Sequence, residues 1–418
     1  MKQVRSTNEK SPNRARLLRA LPIFLCIGSL AAQPATAPTP LLDTRTKVDW
    51  WFVFKFNAAS FPNSCPTAQR ACLFGGGVQA YQQFSQQFAY ASSANHKLQQ
   101  GGGCVGVTTD DPLGATFNEV YNGKLFYVLW NDQFYGDPIK TESGPAGHSK
   151  GMLAWDKDGN GFVLQVSTPD WPAAGSSKTP RKTDGNTLGC IAHDNDVMVS
   201  QHFFSLKVSK TDVALVLKAL ANASVVTDPT NTQIVNNGGP ADIQALVRAL
   251  GKDSTSTKPT KDKLSSGVVL ISKPSNLHVP PWQMVSALLG AEPLRAATWW
   301  TKPEIPTTTA EAPVPKCWDP SLGNPGPVEI ATTGDWQGKT LGLEGMAEPE
   351  GNHAKIGVST SGSHAYAIFG DMNQQGSLSG PNCASSQNGR GGFFYVVEDA
   401  PLHDTLRDLI QGNTAPAY

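Results

Sequence analysis

Apolar residues in this chain come in short runs separated by turn residues, and the runs follow two different periods. Lys47 to Phe56 predicts a strand, Lys124 to Trp130 a buried strand, and Gln201 to Val208, Gly267 to Ser272 and Phe393 to Val397 three more. Helical spacing governs Lys210 to Ala221 and Pro240 to Leu250, where Ile243, Leu246, Val247 and Leu250 fall on one face. Pro112 to Tyr121, Pro280 to Leu289 and Leu402 to Ile410 also predict helices, while Gln83 to Ala91 fits a strand or a polar helix. Strands alternating with helices imply layered α/β packing. Lys252 to Lys263 and Thr301 to Lys316 are too rich in Lys, Thr, Ser and Pro to bury a core, and each is expected to be a surface loop.

Two hairpins open with the same three-residue pattern. His148-Ser149-Lys150 leads into Gly151 to Trp155, a turn at Asp156 to Gly161, and a return run Phe162 to Ser167. His353-Ala354-Lys355, 205 residues later, leads into Ile356 to Ser359, a turn at Ser361-Gly362-Ser363, and a return run Ala365 to Phe369 followed by Gly370-Asp371-Met372-Asn373. Asp156, Asp158 and Asn160 do not make a calcium loop, since no glutamate stands at the twelfth position. After the return runs, Asp170 and Asn373 come back towards their own histidines.

In a strand, one intervening residue puts imidazole and ammonium on the same face, about 7 Å apart along the chain. A lysine gives a phosphate oxygen a permanent cation, and an imidazole attacks phosphorus or delivers a proton. Phosphodiester cleavage through a covalent intermediate needs one histidine on each side of the phosphorus. Two copies of the pattern supply that pair.

More of the chain follows a known order. Val48-Asp49-Trp50 opening a strand to Lys55, Asn131-Asp132-Gln133, Gly147 to Gly151, Pro169-Asp170, His353-Ala354-Lys355, Gly370 to Asn373 with Gln375, and Arg390-Gly391-Gly392 span residues 48 to 392. In that order they resemble the phospholipase D superfamily, and within it the deoxyribonuclease II family. The resemblance implies a phospholipase D-like α/β fold of two pseudo-repeated, layered α/β/α halves around one central cleft. It also implies an endonuclease of acid pH preference that cuts double-stranded DNA without metal or other cofactor and leaves 3′-phosphate ends. The family's catalytic histidines fall on His148 and His353, its lysines on Lys150 and Lys355, and its second-half asparagine on Asn373. Asp170 stands where the family usually has asparagine, and Ile356 where it usually has Trp.

Other residues bear two readings. Asn131, Asp132 and Gln133 support the site or make a turn, and Arg390 contacts phosphate or solvates a loop. Trp50, Trp51, Trp155 and Trp171 fit core better than base stacking. The remaining histidines, His202 among them, show no paired spacing and read as structural or exposed.

Composition adds the setting. Six basic residues and Glu9 precede the apolar run Leu21 to Ala32, so 1–37 reads as a secretory signal, leaving 38–209 and 210–418 as the two halves. The whole chain is neutral, so its removal leaves a net charge of −5, and DNA attraction must come from local cations at the cleft. Cys65, Cys72, Cys104, Cys190, Cys317 and Cys383 are then an even six in an oxidising compartment, with pairing open. The expected protein is a secreted or periplasmic nuclease with double-stranded DNA as partner and no stable membrane association. A lipid head-group phosphodiesterase and an inactive DNA-binding protein are the alternatives.

Overall fold

The strands of this protein sort their side chains between two cores, and that sorting stacks two sheets. The computed structural model describes residues 37–62, 85–106, 109–121, 123–134, 146–169 and 198–418, all within one unit, Ala37–Tyr418. The 1–36 leader, Cys65, Cys72, Cys190, Asp170, Trp171 and His193 lie outside the described residues.

In chain order the elements are β1 (Trp50–Lys55), β2 (Phe88–Ser92), β3 (Asn95–Gln100), α1 (Pro112–Tyr121), β4 (Phe126–Asn131), β5 (Lys150–Trp155), β6 (Gly161–Val166), β7 (Gln201–Val208), α2 (Lys210–Asn222), β8 (Val235–Asn236) and α3 (Ala241–Arg248). Then come β9 (Thr260–Lys263), β10 (Val269–Lys273), α4 (Pro281–Leu288), β11 (Leu294–Ala297), β12 (Val328–Ile330), β13 (Thr333–Trp336), β14 (Lys339–Gly342), β15 (Ile356–Ser359), β16 (Tyr366–Gly370), β17 (Gly392–Glu398) and α5 (Ala400–Leu409).

One sheet runs β3-β2-β1-β7-β6-β5-β4-β8 and the other β12-β11-β15-β16-β17-β10-β9. Their central five strands, β1-β7-β6-β5-β4 and β10-β17-β16-β15-β11, follow the same antiparallel order and the same chain sequence of strand, helix, strand, hairpin, strand, helix. Each sheet with its helices is therefore one half of a repeat.

Period-two alternation explains how the halves meet. In β16 and β17, Phe369, Phe393 and Tyr395 face the first sheet, whereas Ile368, Phe394 and Val396 face a separate core closed by Trp282 and Met284 of α4. Phe369 stacks on Phe52 and Phe204, at 4.6 and 4.5 Å between ring centres. Such pairs add about 0.5–1.5 kcal/mol beyond area burial, enough to fix the facing of two apolar sheets. Trp50, Trp51 and Trp155 are core residues as well.

Local signals set the boundaries. Ser209 and Asp212 close a capping box on α2, and the Asp399 carboxylate accepts from Leu402 N at the start of α5. In the first hairpin the Asp156 carboxylate accepts from the main chain of Asp158 and Asn160, and Gly159 takes φ 89°. Of the two readings of Gln83 to Ala91, its described residues follow the strand, in β2. One expectation is corrected: the last four residues of Lys252 to Lys263 form β9 instead of loop. Strands β3, β8 and β11 to β14 are additional. Strand β9 pairs through its backbone on a sheet edge, where a polar sequence such as Thr-Lys-Asp-Lys costs little. Cys317 and Cys383 are disulfide-bonded to each other, and Cys104 is also in a disulfide.

Candidate active site

Strand β4 ends opposite the start of β5, with Asn131 paired to Lys150, so the next residue, Asp132, meets the lysine head. Lys150 Nζ donates to Asp132 Oδ1 at 2.6 Å with both side chains buried. The other carboxylate oxygen, Oδ2, meets Arg390 Nη2 at 3.0 Å. Arg390 comes from the second half and also donates to the carbonyls of Ala146 and Gly147. A buried carboxylate between two cations offsets part of their desolvation, and removing it would strand both. Gln133 is exposed, and its main-chain N–H donates to the Asn131 side chain in a turn.

His148 is tied to the second half twice. Its main-chain N–H donates to Gly391 O at 2.7 Å, and its ring Nδ1 lies 2.8 Å from Asp371 O. A carbonyl only accepts, so Nδ1 carries the proton and the neutral ring keeps its lone pair on Nε2. The approach is close: a Cβ on Gly391 would stand 2.1 Å from Ala223 O, and one on Gly147 2.4 Å from the same oxygen. His353 is tied reciprocally, its N–H donating to Ser200 O of the first half at 2.7 Å. The Trp299 and His353 rings make a T-shaped contact, 4.9 Å between ring centres, and the His353 Nδ1 has no hydrogen-bond partner.

Burial, Lys150, Arg390 and Lys355 push the His148 pKa well below 6.5, against the Asp371 carbonyl. Burial, Lys355, Lys150 and His148 do the same to His353, against a main-chain hydrogen bond at Ser167. Each imidazole thus feels the lysine of the other half, and the two triplets converge on one electrostatic site.

Three residues to which the sequence assigned no part in the site, Asp371, His202 and Gln165, complete the surroundings. Burial raises the Asp371 carboxyl to about 7, although it accepts from Ser149, Phe393 N and Gln165 Nε2. His202 is fully buried; its Nδ1 accepts from Lys355 N at 3.1 Å, and burial with the Lys355 charge holds it neutral. Lys355 Nζ in turn donates to His353 O. The available signal was a polar residue interrupting an apolar run, as Gln165 does after Val163-Leu164, His202 before Phe203-Phe204, and Asp371 after Ile368-Phe369.

His148 and His353 are only 6% and 7% exposed. Arg390 is partly exposed and ion-pairs with the buried Asp132. Asn373 is buried, with its Nδ2 donating to Gln375 and its Oδ1 unpartnered.

The charged side chains Lys150, Lys355, Arg390 and Asp132 sum to a net positive site with two neutral imidazoles, a setting suited to a phosphate anion. A profile of the family described as Deoxyribonuclease II matches residues 40–287, more than half of the chain. The chain belongs to the deoxyribonuclease II family.

Rat deoxyribonuclease-2-alpha is 28% identical over 181 residues, 41% of this chain and 47% of the relative. Plancitoxin-1 of Acanthaster planci is 32% identical over 165 residues, 37% and 41% of the two chains. Mouse deoxyribonuclease-2-alpha is 25% identical over 291 residues, 63% and 73%. The alignments to the rat and Acanthaster relatives span under half of those proteins. The family match contains His148 and Lys150 and stops before His353, so the second half of the site rests on geometry. Among the described residues no helix is long and apolar enough to cross a membrane.

Proposed function

We propose that this protein is an endonuclease that hydrolyses double-stranded DNA through a phosphohistidine, with His148 as nucleophile and His353 as general acid and base. The relatives named deoxyribonuclease-2-alpha favour the substrate. The observation that carries the reading is the crossed hold on the two histidines: His148 N–H on Gly391 O, His353 N–H on Ser200 O, and each ring within the field of the other half's lysine.

His148 suits the nucleophile because its Nδ1–H is occupied by Asp371 O, leaving the Nε2 lone pair free. Nε2 attacks phosphorus, the P–O5′ bond breaks, and His353 gives its proton to the departing O5′. Water then loses a proton to His353 and attacks the same phosphorus, which releases His148 and a 3′-phosphate end. Lys150 and Lys355 neutralise charge on the non-bridging oxygens, and Arg390 with Asp132 holds Lys150 in place. His353 must be protonated for the first step. Burial opposes that, and a bound phosphodiester anion and acid solution both favour it, which supports an acid pH preference. We extend the proposal to an exported protein.

Plasmid incubated with the chain lacking residues 1–37, in EDTA over a pH series, should be nicked most at acid pH and carry 3′-phosphate ends. Absence of nicking at every pH overturns the reading, and choline or phosphatidic acid release from lipid in its place would favour a lipid phosphodiesterase.

A further inference from the structure

Two buried lysines outside the His-x-Lys triplets occupy equivalent places in the two halves. Lys55 ends β1 opposite Gln201 of β7, and Lys273 ends β10 opposite Gly392 of β17. Lys55 Nζ donates to the carbonyls of Phe56, Ser85 and Val199, at 3.2, 3.1 and 2.7 Å. Lys273 Nζ donates to those of Pro274, Asn388 and Arg390, at 3.4, 2.8 and 2.9 Å. In both cases one acceptor belongs to the residue after the lysine. Another lies two positions before the residue paired with that lysine across the sheet.

The residue between those positions is the one that holds a histidine. Val199 precedes Ser200, whose carbonyl accepts from His353 N, and Arg390 precedes Gly391, whose carbonyl accepts from His148 N, each at 2.7 Å. An ammonium has three donors, and three main-chain carbonyls accept from each of these lysines, which is how a lysine is tolerated in a dry interior. Burial lowers the Lys273 pKa to about 7, so it carries its full set of donors in acid solution. Neither lysine is needed to fill volume alone: a methionine would do that without gathering carbonyls from three segments.

We propose that Lys55 and Lys273 are reciprocal positioning residues, each fixing the main-chain segment from which the other half's histidine hangs. The proposal takes from the functional reading only that His148 and His353 act together. Its physical content is that the two half-sites are aligned through crossed main-chain hydrogen bonds, with each lysine setting one crossing. Substrate affinity, which depends on the cations, should be largely untouched.

Lys55→Met and Lys273→Met test this in protein carrying ¹⁵N-histidine, by amide hydrogen exchange at His148 and His353 together with nicking kinetics. Lys273→Met should speed exchange at His148 by at least about tenfold and leave His353 within about twofold, and Lys55→Met should do the reverse. In both, kcat should fall with KM within about twofold. Equal acceleration at both histidines, or acceleration in the lysine's own half, overturns the proposal. Where methionine prevents folding, Lys55→Gln and Lys273→Gln keep a donor of shorter reach and are judged by the same crossed pattern. Crossed exchange in a protein that cuts no DNA would sink the nuclease reading and leave the positioning role standing; cleavage without crossed exchange would sink the positioning role alone.

Discussion

The main-chain carbonyl of Asp371 lies 2.8 Å from the ring Nδ1 of His148, joining the end of β16 in one half to the start of β5 in the other. Because that partner only accepts, the contact decides the tautomer. ¹⁵N NMR at pH 7.5 should show a protonated Nδ1 and an unprotonated Nε2 for His148. A protonated Nε2 with bare Nδ1 would remove the reason for naming His148 the nucleophile.

Asp132 is the only carboxylate in contact with Lys150 and Arg390 among the described contacts. Asp132→Ala should destabilise the fold by about 3–5 kcal/mol, because it removes the carboxylate that pairs the buried Lys150 ammonium and leaves that charge beside the partly exposed Arg390. Denaturant titration measures this. A change under about 1 kcal/mol would mean that water reaches the pair.

Gly391 has no room for a side chain beside Ala223 O, and the obstacle is backbone. Gly391→Ala should therefore cost about 1–3 kcal/mol and move the carbonyl that holds His148, lowering both the melting temperature and the nicking rate. An alanine variant with wild-type values of both would show that this segment is not fixed.

Much of the architecture was legible because the chemistry of its signals is local. Paired triplets, Asp-Gly turn chemistry and the apolar runs of β1, β4 and β7 give a half-repeat from the sequence alone, and α1 spans the predicted Pro112 to Tyr121. What was hidden depends on contacts distant in sequence. Strand β3, Asn95–Gln100, buries only Leu98 and pairs on a sheet edge, so its residues carry no apolar alternation. The tie from Asp371 to His148 joins positions more than two hundred residues apart, and nothing local announces it. The same holds for the burial of the histidines: a strand pattern places a ring on a face, and only the stacking of two sheets covers that face.

Acid should weaken the fold through the buried histidines. His148, His202 and His353 have folded pKa values pushed well below 6.5 by burial, so below pH 6.5 the unfolded chain binds protons that the folded chain does not. Their stability is fully present above about 6.5 and is lost as pH falls towards the folded values. Asp371 acts in the opposite sense: raised to about 7, it stabilises most below 3.8 and loses that contribution as pH rises through 7. His202→Asn keeps an acceptor for Lys355 N and removes one titration. It should reduce the slope of unfolding free energy below pH 6.5 by up to about 1.4 kcal/mol per pH unit. An unchanged slope would mean that His202 is charged in the fold.

The central claim is that His148 and His353 act on the same phosphorus, and nicking by single and double variants tests it most directly. His148→Ala, His353→Ala and the double variant, each shown to be folded, should fall to one common floor at least about 10³-fold below the parent, since groups that act as a unit are not additive. A folded single variant that nicks plasmid at the parental rate in EDTA would contradict it.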